Sequence, residues 1–89
     1  MSIHQEEIIQ LERKLNSIKR QIENLTQCWE RQKTQLLDQV RGSTSTSIQT
    51  TLDLVQQIQL LSVDYTKRKN DLEMKLFETR QTYFKKLQE

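Results

Sequence analysis

The strongest constraint on the fold is an uninterrupted repeat of three- and four-residue steps in the first half of the chain. Its members are apolar except for one glutamine: Ile8, Leu11, Leu15, Ile18, Ile22, Leu25, Trp29, Gln32 and Leu36. A repeat of this kind keeps one stripe of an α-helix facing a partner helix while the two supercoil. The charged residues lie off this stripe, as expected for the solvent-facing side of an amphipathic helix. The repeat therefore predicts a long helix of the coiled-coil type over about residues 3–41.

The composition favours helix throughout the chain. There is no proline and a single glycine, Gly42, so almost nothing interrupts a regular helix. Hydrophobic residues make up 34% and aromatic residues 6% of the 89 residues, which is enough for a narrow seam but not for a broad core. These features predict an all-α protein that forms one domain over residues 1–89.

A glycine followed by five consecutive Ser or Thr residues is the only segment of the chain that predicts a break between helices. Glycine is common just past a helix end, and serine or threonine is common as the N-cap of the next helix. We therefore predict a turn over about residues 42–46, with Ser45, Thr46 or Ser47 as the cap, and a second helix over about 47–88. An uninterrupted helix is the alternative, because one interior glycine costs only about 1 kcal/mol.

The second helix carries a less regular apolar stripe. Its members are Leu54, Ile58, Leu61, Tyr65, Leu72 and Leu76, and Tyr83 and Leu87 extend it. Arg68 interrupts the stripe, and the spacing of Leu72, Leu76 and Tyr83 predicts a four-residue stutter that locally unwinds the supercoil.

Folding the two helices back on one another brings both stripes together. A turn centred near residues 43–44 pairs Trp29 with Ile58 and Ile22 with Tyr65, and it leaves Ile18 facing the polar pair formed by Arg68 and Lys69. The predicted fold is an antiparallel two-helix coiled-coil hairpin. Its predicted seam comprises Ile8, Leu11, Leu15, Ile18, Ile22, Leu25, Trp29, Leu36, Leu54, Ile58, Leu61, Tyr65, Leu72 and Leu76.

Apolar residues that the seam does not use predict a second contact surface. On the second helix they lie roughly 100° from the seam. The candidate interface residues are Leu37, Val40, Ile48, Leu52, Val55, Phe77 and Phe84. Between Gly42 and Val63 the only charged residue is Asp53, and a charge-poor apolar face is typical of a contact surface. We expect two hairpins to dimerise through it into a four-helix bundle; binding of a different protein is the alternative.

The sequence contains no pattern that predicts chemistry. His4 is the only histidine and Cys28 the only cysteine, so neither a catalytic site nor a metal or cofactor site is expected. A two-helix rod also offers no concave pocket for a small-molecule substrate. We therefore expect a protein that is not an enzyme.

Charge and terminal composition bear on partners and location. Each half of the chain holds seven basic and six acidic residues, so a nucleic-acid or membrane-surface binder using residues 67–69 and 85–86 is disfavoured. The acidic start of the chain does not resemble a signal peptide, and no apolar run approaches the roughly 18 residues of a membrane span. We expect a cytoplasmic protein, or one of another reducing compartment, because a lone cysteine cannot form an intramolecular disulfide.

These features predict a non-catalytic interaction or scaffolding module that holds a partner helix or subunit in an apolar groove. A small escort chaperone for an export or assembly substrate is the alternative. The architecture resembles that of the short helical-hairpin subunits of bacterial type III secretion systems, although no motif specific to them is present. Their needle-forming members carry a proline-containing turn, where this chain has Gly42 followed by Ser43, Thr44 and Ser45.

Overall fold

Two long helices make up the structure. The computed structural model describes residues 3–42 and 48–89, in which α1 runs over Ile3–Gly42 and α2 over Ile48–Gln88. Arg41 lies in the last turn of α1, and Lys85 and Lys86 lie in the last turn of α2. Basic side chains at these ends complement the partial negative charge of a helix C-terminus.

The helices pack against each other as an antiparallel rod of 67 × 17 × 12 Å. The start of α1 lies beside the end of α2, where Lys86 Nζ is 3.1 Å from Glu7 Oε2. Near mid-length, the hydroxyls of Thr26 and Tyr65 share a hydrogen bond of 3.0 Å. The all-α class and the helical hairpin predicted from the sequence are confirmed.

Gly42 is the last residue of α1, although it was predicted to lie in the turn. None of the described residues, Gly42 included, has a positive φ, so the glycine takes the ordinary right-handed helical conformation. The remainder of the predicted turn and the cap candidates Ser45, Thr46 and Ser47 lie outside the described residues.

The core is thin and is centred toward one end of the rod. Leu15, Ile18 and Thr79 are the buried side chains among the described residues. The other predicted seam residues are half-buried. Ile18, which was predicted to face Arg68 and Lys69, is the most buried apolar side chain, with 5% of its surface exposed.

The pairing of the two stripes differs from the predicted pairing by one heptad. Tyr65 was predicted to face Ile22, but its ring stacks on Trp29, with centroids 5.5 Å apart and planes 15° apart. Trp29 in turn was predicted to face Ile58, seven residues before Tyr65. A heptad repeat presents the same stripe every seven residues, so both registers join the same two stripes. The predicted register is therefore wrong.

Thr79 supplies a seam position that hydrophobicity alone does not reveal. Its hydroxyl donates a hydrogen bond of 2.7 Å to the carbonyl of Lys75, so burial leaves this polar group satisfied. With Thr79 between Leu76 and Tyr83, the steps are three and four residues, and no stutter lies there. Lys69 is half-buried while Arg68 is exposed, so the irregular step lies between Tyr65 and Lys69.

Candidate interface on the second helix

The exposed large apolar side chains all belong to α2 in the part of the chain that the structure describes. They are Ile48, Leu52, Val55, Leu60, Val63, Met74, Phe77, Phe84 and Leu87. Ile48 is 80% exposed, and Phe77 and Phe84 are each 57% exposed. This surplus is concentrated on one helix, so it differs from the scattered apolar residues of an ordinary surface.

Most of these side chains lie on one face of α2, about a third of the way around the helix from the seam. Successive residues on this face are alternately four and three residues apart. At the middle of the face, two four-residue steps follow one another. We name it the outer stripe and define it as Ile48, Leu52, Val55, Gln59, Ser62, Thr66, Asn70, Glu73, Phe77, Arg80 and Phe84. It is apolar toward both ends of α2 and polar in between, and every member except the half-buried Ser62 is exposed.

The predicted interface residues divide between the two helices. Ile48, Leu52, Val55, Phe77 and Phe84 lie on the outer stripe of α2 and are exposed. Leu37 and Val40 lie near the end of α1 and are half-buried. The accessible part of the predicted surface therefore belongs to α2.

Several exposed apolar residues were not predicted as interface residues. Leu60, Val63 and Met74 lie to one side of the outer stripe, and Leu87 lies beyond its last member. A tally of apolar residues outside the seam would have found them, because their only signal is an apolar side chain without a seam position.

The part of α2 nearest the turn has almost no charge. Asp53 is the only charged residue between Ile48 and Val63, and its Oδ1 atom accepts a hydrogen bond of 3.1 Å from Gln49 Nε2. Covering such a surface with another helix removes few charges from water, so the desolvation cost is small.

An aromatic pair occupies the seam near the middle of the rod. Lys33 Nζ lies 5.9 Å from the Trp29 ring centroid, and Lys69 Nζ lies 5.8 Å from that of Tyr65, so two ammonium groups flank the stacked rings. A groove of about 260 Å³ beside this pair is also lined by Cys28, whose side chain is exposed. Trp29 is therefore engaged within the hairpin and is not an exposed anchor for a partner.

Two polar contacts join the helices at the open end of the hairpin. Tyr83 Oη donates a hydrogen bond of 2.9 Å to Glu12 Oε1, which raises the pKa of the phenol, with desolvation and the charge of Glu12 acting in the same direction. Lys86 is paired with Glu7 at 3.1 Å, and this hydrogen bond and charge raise the pKa of the ammonium, assisted by Glu89. We call these four residues the end clasp: Glu7, Glu12, Tyr83 and Lys86.

Within residues 3–42 and 48–89, no cluster of three or more His, Cys, Asp or Glu side chains has a geometry that could hold a metal ion. Neither α1 nor α2 contains an apolar stretch long enough to cross a lipid bilayer.

Comparison with protein-family models, curated proteins and solved structures finds no match to this chain.

Proposed function

We propose that this chain is a non-catalytic helical-hairpin module that binds an amphipathic helix of another chain along the outer stripe of α2. The observation that carries the proposal is the confinement of the exposed large apolar side chains to α2 among the side chains that the structure describes. The seam side of the same helix is already covered by α1, so one helix has two apolar faces and only one of them has a partner within the hairpin.

The spacing of the outer stripe fits this mode of recognition. A helix that lies against another helix contacts it at positions three and four residues apart, and Ile48, Leu52 and Val55 have that spacing. Phe77 and Phe84 lie on the same face and are seven residues, or about two helical turns, apart. Aromatic side chains at such positions are frequent anchors, because each removes a large apolar area from water.

A second copy of the chain and a helix of a different protein both satisfy this proposal. Two hairpins joined through their outer stripes would bring four helices together, which is the four-helix bundle expected from the sequence.

Photo-crosslinking from defined positions tests the proposal. A photoreactive phenylalanine analogue at position 77 should form adducts with a protein in the cells that produce this chain, and mass spectrometry should identify the adduct. The matched control is the same analogue at position 75. Lys75 is exposed and lies two residues before Phe77 on α2, on the side of the helix that faces away from the outer stripe. Adducts of equal yield at both positions, or none at position 77, would contradict the proposal.

The escort chaperone is a second candidate, and the thin core favours it. Within the described residues the buried apolar side chains are Leu15 and Ile18, which are few for two helices of this length. A small scaffold with so little core is marginal alone and gains stability when a client covers its exposed face. The two candidates differ in the behaviour of the isolated chain: a scaffold melts cooperatively, whereas an escort without its client does not.

A further inference from the structure

The outer stripe has the same spacing in either direction from Thr66 and the same order of polar and apolar residues, except that Leu52 on one side corresponds to Arg80 on the other. Eleven residues separate Thr66 from Val55 on one side and from Phe77 on the other. Eighteen residues separate it from Ile48 and from Phe84 in the same way. A stripe with this symmetry is complementary to a reversed copy of itself, which is the requirement for an interface with a two-fold axis.

We propose that the outer stripe is covered by α2 of a second copy of the chain, in antiparallel orientation, with the two-fold axis beside Thr66. This inference rests on the proposed function. In this arrangement Ile48 packs on the partner's Phe84 and Val55 packs on the partner's Phe77. Because the arrangement is symmetric, each of these contacts occurs twice.

The polar middle of the stripe also matches itself. Gln59 faces the partner's Glu73, Ser62 faces the partner's Asn70, and the two copies of Thr66 face each other. Each of these polar side chains therefore lies opposite a side chain that can form a hydrogen bond. The remaining pair places Arg80 over the partner's Leu52, where the aliphatic part of the arginine covers the leucine while its guanidinium reaches water.

Charge decides between the antiparallel and parallel orientations. A parallel pairing in register would also place apolar residues together, but it would set Glu73 against the partner's Glu73 and Arg80 against the partner's Arg80. Like charges at directly facing positions are destabilising and select against such a pairing. The antiparallel pairing replaces both repulsions with contacts to uncharged residues.

The area of the stripe is sufficient for a stable dimer. Its five apolar side chains are between 39% and 80% exposed, and at about 150–200 Å² for a large apolar side chain they offer roughly 500 Å² per chain. Two chains then bury roughly 1,000 Å² of apolar surface, and the six polar members bring the total into the range of about 1,200–2,000 Å² found for specific interfaces. Stripe residues 48–84 extend over about 54 Å of helix, so contacts are distributed along the rod.

Disulfide trapping between two different variants tests the orientation. In a Cys28→Ser background, Gln59→Cys and Glu73→Cys each replace an exposed polar side chain and remove no apolar contact. When the two variants are mixed and mildly oxidised, the antiparallel dimer gives a disulfide between position 59 of one chain and position 73 of the other. Lys75→Cys in the same background, paired with Gln59→Cys, is the control and should give no such disulfide.

Light scattering on the chain without added cysteines provides the second measurement. We expect twice the chain mass of 10.7 kDa, a return to the single-chain mass for Phe77→Glu, and no change for Lys75→Glu. Circular dichroism should show that Phe77→Glu keeps its helices, because this side chain lies outside the seam.

Two results would overturn the inference. Disulfides that join 59 to 59 and 73 to 73 without the mixed product would establish a parallel pairing. A single-chain mass for the wild type, with no mixed disulfide, would show that a second copy does not occupy the stripe. In the latter case, crosslinks from position 77 to a different protein would leave the proposed function intact.

Discussion

At the scale of single residues, Gly42 is a helical residue that makes no use of the conformational freedom of glycine. Its φ is not positive, and a Cβ atom added there would meet nothing within 4 Å. Alanine restricts the unfolded chain and favours helix, so we expect Gly42→Ala to raise the free energy of unfolding by about 0.5–1 kcal/mol. Urea denaturation measures this change. Gln57→Ala, at an exposed helical position that already carries a Cβ, is the control and should change stability much less.

The opposite result would restore the turn expected from the sequence. If Gly42→Ala lowers the stability, the glycine needs a left-handed conformation that alanine adopts only with strain, and α1 ends before it.

Individual seam positions were predictable where burial follows hydrophobicity. The apolar repeat from Ile8 to Leu36 indicates which side of α1 faces α2, because a continuous apolar stripe is covered when another helix lies along it. Thr79 and Lys69 were not predictable in this way. Thr79 is buried with its hydroxyl bonded to the carbonyl of Lys75, and Lys69 is half-buried with its ammonium 5.8 Å from the centroid of the Tyr65 ring. In both cases the decisive contact is made by the folded structure.

At the scale of the helices, the end clasp makes the hairpin sensitive to alkaline pH. Tyr83 and Lys86 hold their protons more tightly in the folded chain, since their pKa values are raised above 10.0 and 10.5 respectively. Their contribution to stability is therefore complete below those unfolded values and is lost as the pH rises through the higher folded values. We expect the melting temperature to fall above about pH 10, and to fall less steeply in a Glu7→Gln, Glu12→Gln variant. Thermal melts at several pH values between about 9 and 12 measure the two slopes.

A pair within a single helix provides the matched control for this experiment. Lys33 Nζ lies 3.1 Å from Glu30 Oε2, and both residues belong to α1, so this pair does not join the helices. Glu30→Gln should leave the alkaline slope as it is in the wild type. Identical slopes for the wild type and the Glu7→Gln, Glu12→Gln variant would show that the end clasp does not contribute.

The pairing of the helices shows where sequence information ends. Each stripe repeats every seven residues, so registers that differ by one heptad bury nearly the same apolar positions, and hydrophobicity cannot separate them. The structure selects the register that stacks Trp29 on Tyr65 and joins Thr26 to Tyr65 by a hydrogen bond. These contacts depend on the reach of particular side chains, which the spacing of apolar residues does not encode. The exposed face of α2 was predictable, because an apolar residue without a seam position has no partner inside a hairpin.

At the scale of the whole molecule, the rod has a thin core and a long exposed apolar face, so its stability should depend on association. If two copies share their outer stripes, the dimer is favoured by mass action and the melting temperature rises with protein concentration. We expect a single cooperative transition that moves upward over a hundredfold increase in concentration, measured by circular dichroism. Phe77→Glu should melt at a lower temperature that does not depend on concentration. A cooperative wild-type transition that is independent of concentration would mean that α1 and α2 are sufficient alone, leaving the outer stripe for a helix of a different protein. A gradual transition at every concentration would instead favour the escort chaperone, whose client completes the fold.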